Sequence, residues 1–269
     1  MFGFFTELTP ALQVEYKKSL RSRTLWLTAL GFVLLTAIGG LFMYILKDPE
    51  QARRLGLLGA KAQFLGGMAD WSNYFNLMLT MLSVGGLIIF GFVFTWVFGR
   101  EFSDKTVYDW LALPVSRSAI VTAKMITAVY WSAALTVLTL VLMLALGAWV
   151  QLPGWSAGVM WHGLGLMAAT SGLTAVLCLP FSMVASLTRG YLPAIGAIFT
   201  VMILSQVITQ LGNGQYFPWT IPMLFSGAAE ELSGKTAEPL EAISYFLVAA
   251  VAIICAAITF WWWRNADQT

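Results

Sequence analysis

Charge is scarce in this chain. There are 15 Lys or Arg and 13 Asp or Glu among 269 residues, so charged types make up 10% of it, where soluble domains carry about a quarter. A water-facing surface of ordinary extent cannot be built from that composition. Histidine occurs once, at His162, which excludes multi-histidine metal sites and two-histidine zinc motifs, and no metal site is expected. The two cysteines, Cys178 and Cys255, lie inside apolar runs and read as packing residues, not as a disulfide framework. A net charge of +2 is too weak a field to gather nucleic acid. Catalytic groups are equally thin. His162 and Ser171 would have to meet to act as base and nucleophile, and a separation of nine residues at about 100° each puts them on opposite sides of one helix. "LSGKTAE" at 232–238 ends like a phosphate loop, but Ala229 stands where that motif needs its first glycine, so no ATP site is expected in this chain.

What the sequence has in abundance is hydrocarbon: 59% apolar residues and a mean hydropathy of +0.77. Uncharged runs cover 25–46, 71–99, 125–188, 190–229 and 242–263. Each is long enough to cross a bilayer core, which takes about 20 helical residues. The third run is divided by "QLPGW" at 151–155, whose Pro153 and Gly154 interrupt a helix. The expected fold is therefore all-α, a single transmembrane domain over 1–269 with six spans at about 25–46, 73–98, 125–150, 159–188, 191–211 and 242–263. An even number of spans puts both termini on one side. That side holds ten of the Lys and Arg residues, Lys17, Lys18, Arg21, Arg23, Arg100, Lys105, Arg117, Lys124, Arg189 and Arg264. The other holds five, Lys47, Arg53, Arg54, Lys61 and Lys235. The excess assigns both termini to the cytoplasm. No secretory signal pattern precedes the first span.

Before that span, Leu8, Leu12, Tyr16 and Leu20 recur every four residues, Thr9 can cap and Pro10 suits a first helical position. The pattern predicts an amphipathic helix lying along the membrane face, in contact with lipid. Asp48, Pro49 and Glu50 suggest a short helix in the following loop. The second span carries Asn73, Asn76, Thr80 and Ser83 on one face, and the fifth carries Gln206 and Gln210. Such stripes must avoid lipid or hydrogen-bond locally, so they are candidates for a substrate route or for a seam between helices. Pro180 offers the fourth span a bend. "NGQYFPWTIPMLFSG" is apolar but broken by Pro218 and Pro222, so it should dip into the outer leaflet or lie on it, and backbone at that depth requires a protein cover. No carboxylate or ammonium lies inside any of the five runs, and energy for transport would have to arrive from outside the lipid.

One connection breaks the pattern. "GREFSDKTVYDWLALPVSRS" at 99–118 concentrates Arg100, Glu101, Asp104, Lys105, Asp109 and Arg117 between two apolar spans. Gly99 ends the second span, Glu101 and Lys105 have the spacing of a helical ion pair, and Ser103 or Asp104 can cap a short helix that Pro114 closes. Such a helix, fixed at both ends to membrane spans, is either a lever or an ordinary polar loop.

The run "FGREFSDKTVYDWLALPVSRSAIVTAK", Phe98 to Lys124, resembles the segment between the second and third helices of bacterial type-2 ATP-binding-cassette permeases. The resemblance rests on Glu101, Phe102, Thr106, Pro114, Val115, Ser116, Arg117, Ile120 and Lys124; Lys105 stands where that family often has Gly. Some exporters of similar layout confer resistance to peptide antibiotics. The resemblance implies a permease subunit of a bacterial plasma-membrane exporter with no cofactor of its own. It would pair with a second copy or a homologous permease and dock two ATPase subunits that bind ATP and magnesium. Its coupling segment would be 100–120, with Glu101, Phe102, Thr106, Trp110, Leu111, Pro114 and Arg117 as coupling residues. Trp110 and Leu111 would form the docking knob, and Glu101 and Arg117 would hold its shape. A hydrophobic or amphipathic cargo, such as a drug, peptide or lipid, suits uncharged spans. An ATP-independent carrier or channel and an intramembrane enzyme are the competing functions.

Overall fold

Hydrocarbon offers the backbone no hydrogen-bond partners, so a chain crossing it must satisfy its own N–H and C=O groups, which a helix does within one segment. The computed structural model describes residues 2–48, 69–106, 115–229 and 240–265. Among these every regular element is helical: α1 (Phe2–Arg21), α2 (Arg23–Lys47), α3 (Trp71–Ser103), α4 (Arg117–Val150), α5 (Ala157–Val176), α6 (Leu179–Leu187), α7 (Leu192–Leu211), α8 (Ile221–Phe225) and α9 (Ala242–Asn265). Two 3-10 turns, Gly214–Tyr216 and Pro218–Thr220, precede α8. Six spans result, because α5 and α6 together make one crossing beside α2, α3, α4, α7 and α9. This is an all-α polytopic membrane protein. The short helix expected after Asp48 and the Gly-Lys-Thr stretch at 234–236 lie outside the described residues.

Small polar side chains set where the helices begin. Ser22, Asp70, Ser116 and Ser156 each stand in extended geometry and accept from the backbone N–H three residues on, which satisfies an otherwise orphaned donor. The "QLPGW" turn forms as expected. Gln151 closes α4 in the left-handed region, Gly154 has φ 81°, and the Pro153 carbonyl accepts from the Trp71 N–H at 3.1 Å. One turn thus joins two spans and caps a third.

Most of the hydroxyls on the spans bond within their own helix. Ser83, Ser132, Thr136, Thr139, Ser205 and Thr209 each donate to the carbonyl four residues back, at 2.8–3.0 Å. A Ser or Thr stripe can therefore face packed protein at little cost.

The fourth crossing breaks where Pro180 stands. Proline has no N–H to donate, and Phe181 bonds the Cys178 carbonyl at 3.0 Å, which leaves the Leu177 carbonyl without its helical partner. The indole Nε1 of Trp219 supplies the missing donor at 2.9 Å. Trp219 belongs to the broken apolar segment, which folds back into the bundle as the sequence requires. Pro218, Thr220, Ile221, Pro222, Met223 and Leu224 are buried, Ser226 meets Ser83 at 3.1 Å, and Ser244 donates to the Gln215 carbonyl at 3.0 Å. Replacing Trp219 by Phe keeps a ring but orphans the Leu177 carbonyl. The expected loss is about 1–3 kcal/mol, read as a lower unfolding midpoint in detergent; an unchanged midpoint would contradict the assignment.

The N-terminal helix departs from expectation. It begins at Phe2 and runs through Pro10 instead of starting there. Its first turns are held from outside, because Glu7 accepts from the Ser116 N–H at 3.0 Å. Tyr16 and Leu20 of the apolar ridge are exposed, Leu8 and Leu12 are half-buried, and the face pressed onto the protein is Ala11, Glu15 and Ser19.

Candidate coupling site at the charged end of the bundle

The face of α1 that carries Glu15 packs against α4, and both lie beside the last turns of α3. Three helices thus bring four charges together. Lys124 of α4 is completely enclosed, and its ammonium has three acceptors: Glu15 Oε1 at 3.1 Å, Glu101 Oε2 at 2.9 Å and the Val97 carbonyl at 3.0 Å. It donates hydrogen bonds to Glu15 Oε1 and to the Val97 carbonyl. The approach to Glu101 Oε2 is a charge contact, lying outside good hydrogen-bond alignment. Lys18, partly exposed, donates to the other oxygen of Glu101 at 3.0 Å. Burial lowers the Lys18 pKa, and the carboxylates of Glu101 and Glu15 oppose that shift. Two carboxylates and two ammoniums leave the cluster neutral.

Glu101 therefore does not pair with Lys105. α3 continues past Gly99 to Ser103 and then stops, so Lys105 leaves the helical face that the spacing assumed, and the lysines of two other helices take the carboxylate. The stop has a recognisable geometry. Thr106 N–H bonds the Glu101 carbonyl at 2.9 Å, Lys105 N–H bonds the Phe102 carbonyl at 3.3 Å, and Lys105 has φ 57°. These are the two bonds of a Schellman end with its left-handed residue at Lys105, a position that glycine occupies most easily. Glycine also leaves space where α3 passes the next turn, since a Cβ on Gly99 would come within 2.8 Å of the Tyr191 backbone nitrogen.

A second set of contacts ties the connection to the C-terminal helix. Arg117 Nη1 donates to the carbonyls of Trp263 and Arg264, both at 3.4 Å, where α9 runs out of its own donors. The Phe102 ring lies 5.7 Å from Trp262 and 5.5 Å from Trp263, and Trp263 Nε1 donates to Ser186 of α6 at 3.0 Å. Arg100 covers the Trp96 ring at 4.3 Å. Hydrogen bonds from Ser116 hold the Glu7 carboxyl below its usual pKa.

The structure thus brings Glu101, Phe102 and Arg117 into one bracket around the connection, with Thr106 at its rim, while Trp110, Leu111 and Pro114 lie outside the described residues. Glu101 is fully buried, so a docking protein could feel it only through its neighbours. Sequence reasoning missed Lys18 and Lys124 as partners of Glu101 and Glu15 as the second carboxylate on Lys124; Glu15 and Lys18, three residues apart on an amphipathic helix, were the available signal. The stripe candidates are scattered. Ser83 is buried against Ser226, Asn73 and Thr80 are half-buried, and Asn76 opens to the surface near His162. On α7, Gln206 is half-buried and Gln210 exposed. His162 and Ser171 do sit apart on continuous α5, one exposed and the other buried.

Two comparisons with known proteins agree. The family model described as ABC-2 family transporter protein matches residues 11–206, which includes the whole bracket except α9 and the first turns of α1. The chain is also similar to the bacitracin transport permease protein BCRB of Bacillus licheniformis, 27% identical over 195 residues, which are 71% of this chain and 89% of that protein.

Two predictions follow from the bracket. Neutralising Glu101 alone (Glu101→Gln) or Lys124 alone (Lys124→Met) strands a buried charge and is expected to cost about 3–5 kcal/mol. The double variant keeps the balanced pair Glu15 and Lys18 and should be destabilised less than the sum, by more than 1 kcal/mol in a double-mutant cycle; additive losses would show that the two do not interact. Lys105→Gly relieves the left-handed residue and should raise the unfolding free energy by roughly 1 kcal/mol. A destabilised Lys105→Gly would mean that the Lys105 side chain holds something the geometry does not reveal.

Proposed function

The chain belongs to the ABC-2 transporter family, and from that membership we propose that it forms the translocation path of an ATP-driven exporter worked from outside the membrane by separate ATPase subunits. As a family member it is the multi-pass permease subunit of an ABC transporter in a bacterial plasma membrane. The observation that carries the further step is the bracket. Among the described residues, the connection between α3 and α4 is where buried charge, an aromatic clamp and two other helices converge, and such bracing suits a connection that is loaded by force.

In this reading residues 100–120 face the cytoplasm with both termini, and an ATPase seats on Trp110 and Leu111 while Glu101, Phe102, Thr106, Pro114 and Arg117 keep the segment in shape. Two ATPases bind ATP and magnesium; closing around nucleotide, they favour one arrangement of the bracket over another, which is the differential contact any driven change requires. A second permease, identical or homologous, completes the pore. It seats on α7, the least covered crossing, with 17% of its apolar window buried against 50% for α3, so that Gln206 faces protein instead of lipid. Asn73, Asn76, Thr80, Ser83, Gln206 and Gln210 are candidates for the path. The cargo is hydrophobic or amphipathic, and the relative named for bacitracin transport supports a peptide antibiotic within that class.

The test is capture of the ATPase. Co-expressed with an ABC ATPase that the unaltered chain captures, the chain carrying Trp110→Ala and Leu111→Ala should retain at least tenfold less ATPase on purification while inserting normally. Full capture by that variant, or transport by the chain alone in liposomes without ATP, would refute the proposal.

A further inference from the structure

At the end of the bundle opposite the charged bracket, the first turns of α3 and α5 enclose a cleft of about 170 Å³. Its floor is apolar, with Phe75, Leu79 and Leu166, and its polar groups are Ser72, Asn76 and His162. The cleft is shallow because the helices touch beneath it: a Cβ on Gly163 would come within 2.5 Å of the Phe75 ring. Each of the three polar side chains can donate a hydrogen bond, and no acidic residue is among those lining the cleft. Asp70, the nearest carboxylate in sequence, caps α3 by accepting from the Asn73 N–H at 2.8 Å.

Two further observations say what reaches this cleft. Trp149, Trp155 and Trp161 are 72%, 64% and 76% exposed at the same end, and exposed tryptophans gather at the level of lipid headgroups. Below His162, the outward face of α5 is small. Gly165, Ala168, Ala169 and Gly172 are exposed, and a Cβ added at Gly165 or Gly172 would meet nothing within 4 Å. Donors at headgroup level above a shallow apolar furrow match an acceptor-rich headgroup with a chain beneath it.

We propose that the cleft between α3 and α5 binds a phosphate-bearing lipid, with its headgroup held by Ser72, Asn76 and His162 and an acyl chain along the small face of α5. The site requires only that the protein lie in a bilayer, so it stands independently of ATPase coupling. It gives Asn76 a lipid-facing role distinct from a pore-lining one.

The experiment uses the full chain, delipidated in detergent and offered phosphatidylglycerol, diacylglycerol with the same acyl chains, or soluble glycerol 3-phosphate, with bound molecules counted by native mass spectrometry. Wild type should retain phosphatidylglycerol at least tenfold better than diacylglycerol, about the effect of one hydrogen bond to a charged group. Asn76→Leu combined with His162→Leu should erase that preference, while Tyr245→Phe, at the same end on α9, should leave it intact. Gly165→Leu, which fills the furrow at an exposed position, should lower retention of phosphatidylglycerol and diacylglycerol alike, and it decides the matter if the double variant fails to fold. Equal retention of the two lipids by wild type overturns the proposal, as does a preference surviving in the folded double variant or unchanged retention in Gly165→Leu. Displacement of the lipid by equimolar glycerol 3-phosphate would assign the cleft to a soluble anion instead and also overturn it.

Discussion

The fold's charged end depends on one ammonium. Lys124 sits with no exposure among Glu15, Glu101 and the Val97 carbonyl, each from 2.9 to 3.1 Å away, and so fixes the mutual position of α1, α3 and α4. Apolar side chains could hold the three helices about as firmly, since desolvation offsets much of the attraction between buried charges. They would not hold them in one register. An apolar face can slide by part of a turn and stay satisfied, whereas an enclosed ammonium must keep two carboxylates and a carbonyl within about 3 Å, which few arrangements of the helices allow. That requirement makes α1 part of the body instead of an appendage on lipid.

From the bracket, contacts continue inward without a gap. Phe102 lies against Trp263, Trp263 donates to Ser186 of α6, and α6 is the short inner half of a crossing that breaks at Pro180. Trp219 of the infolded segment occupies the break. A half-helix of nine residues, bound at its far end to α9 and freed from α5 by proline, can tilt at lower cost than an unbroken crossing, because its hydrogen bonds across the break are already replaced. The indole of Trp219 caps the break from the side of Leu177, and the bond from Trp263 to Ser186 ties the half-helix to α9.

What was legible in the sequence follows physical range. The six crossings, the turn at Pro153 and Gly154, the break at Pro180 and the covered segment near Pro218 and Pro222 all follow from local rules about hydrocarbon thickness and backbone donors, and the helices fall within a few residues of the expected spans except where α3 and α4 overrun them at the charged end. The partners of Glu101 do not. Lys105 is four residues away and Lys18 is 83, and sequence spacing ranks the nearer one first, although the helix ends before it can be used. Likewise Glu15, three residues after Leu12, only flanks the ridge of Leu8, Leu12, Tyr16 and Leu20, and its spacing gives no sign of a partner. It is buried because α4 brings the enclosed Lys124 ammonium to within 3.1 Å of it, a fact about tertiary packing that no periodicity contains. The departure at Lys105 becomes understandable only in three dimensions, where the position is left-handed and glycine would be the unstrained choice.

Length explains why the bracing is placed where it is. α3 has 33 residues and α4 has 34, about 50 Å of helix each, against a hydrocarbon core of about 30 Å. Trp71 begins α3 at the level of the exposed tryptophans, so most of the surplus, on the order of 20 Å, emerges at the charged end. Two helices projecting that far, joined at the tip by a short connection, would bend where they leave the bundle if they stood alone. Any load on the tip would then be absorbed as flexing. α1 on one side, through Glu15, Lys18 and Glu7, and the end of α9 on the other, through Trp262, Trp263 and the carbonyls that Arg117 reaches, stiffen the projection along its length. Among the described residues, the buried charges, Glu15, Glu101 and Lys124, are gathered where two long helices project together.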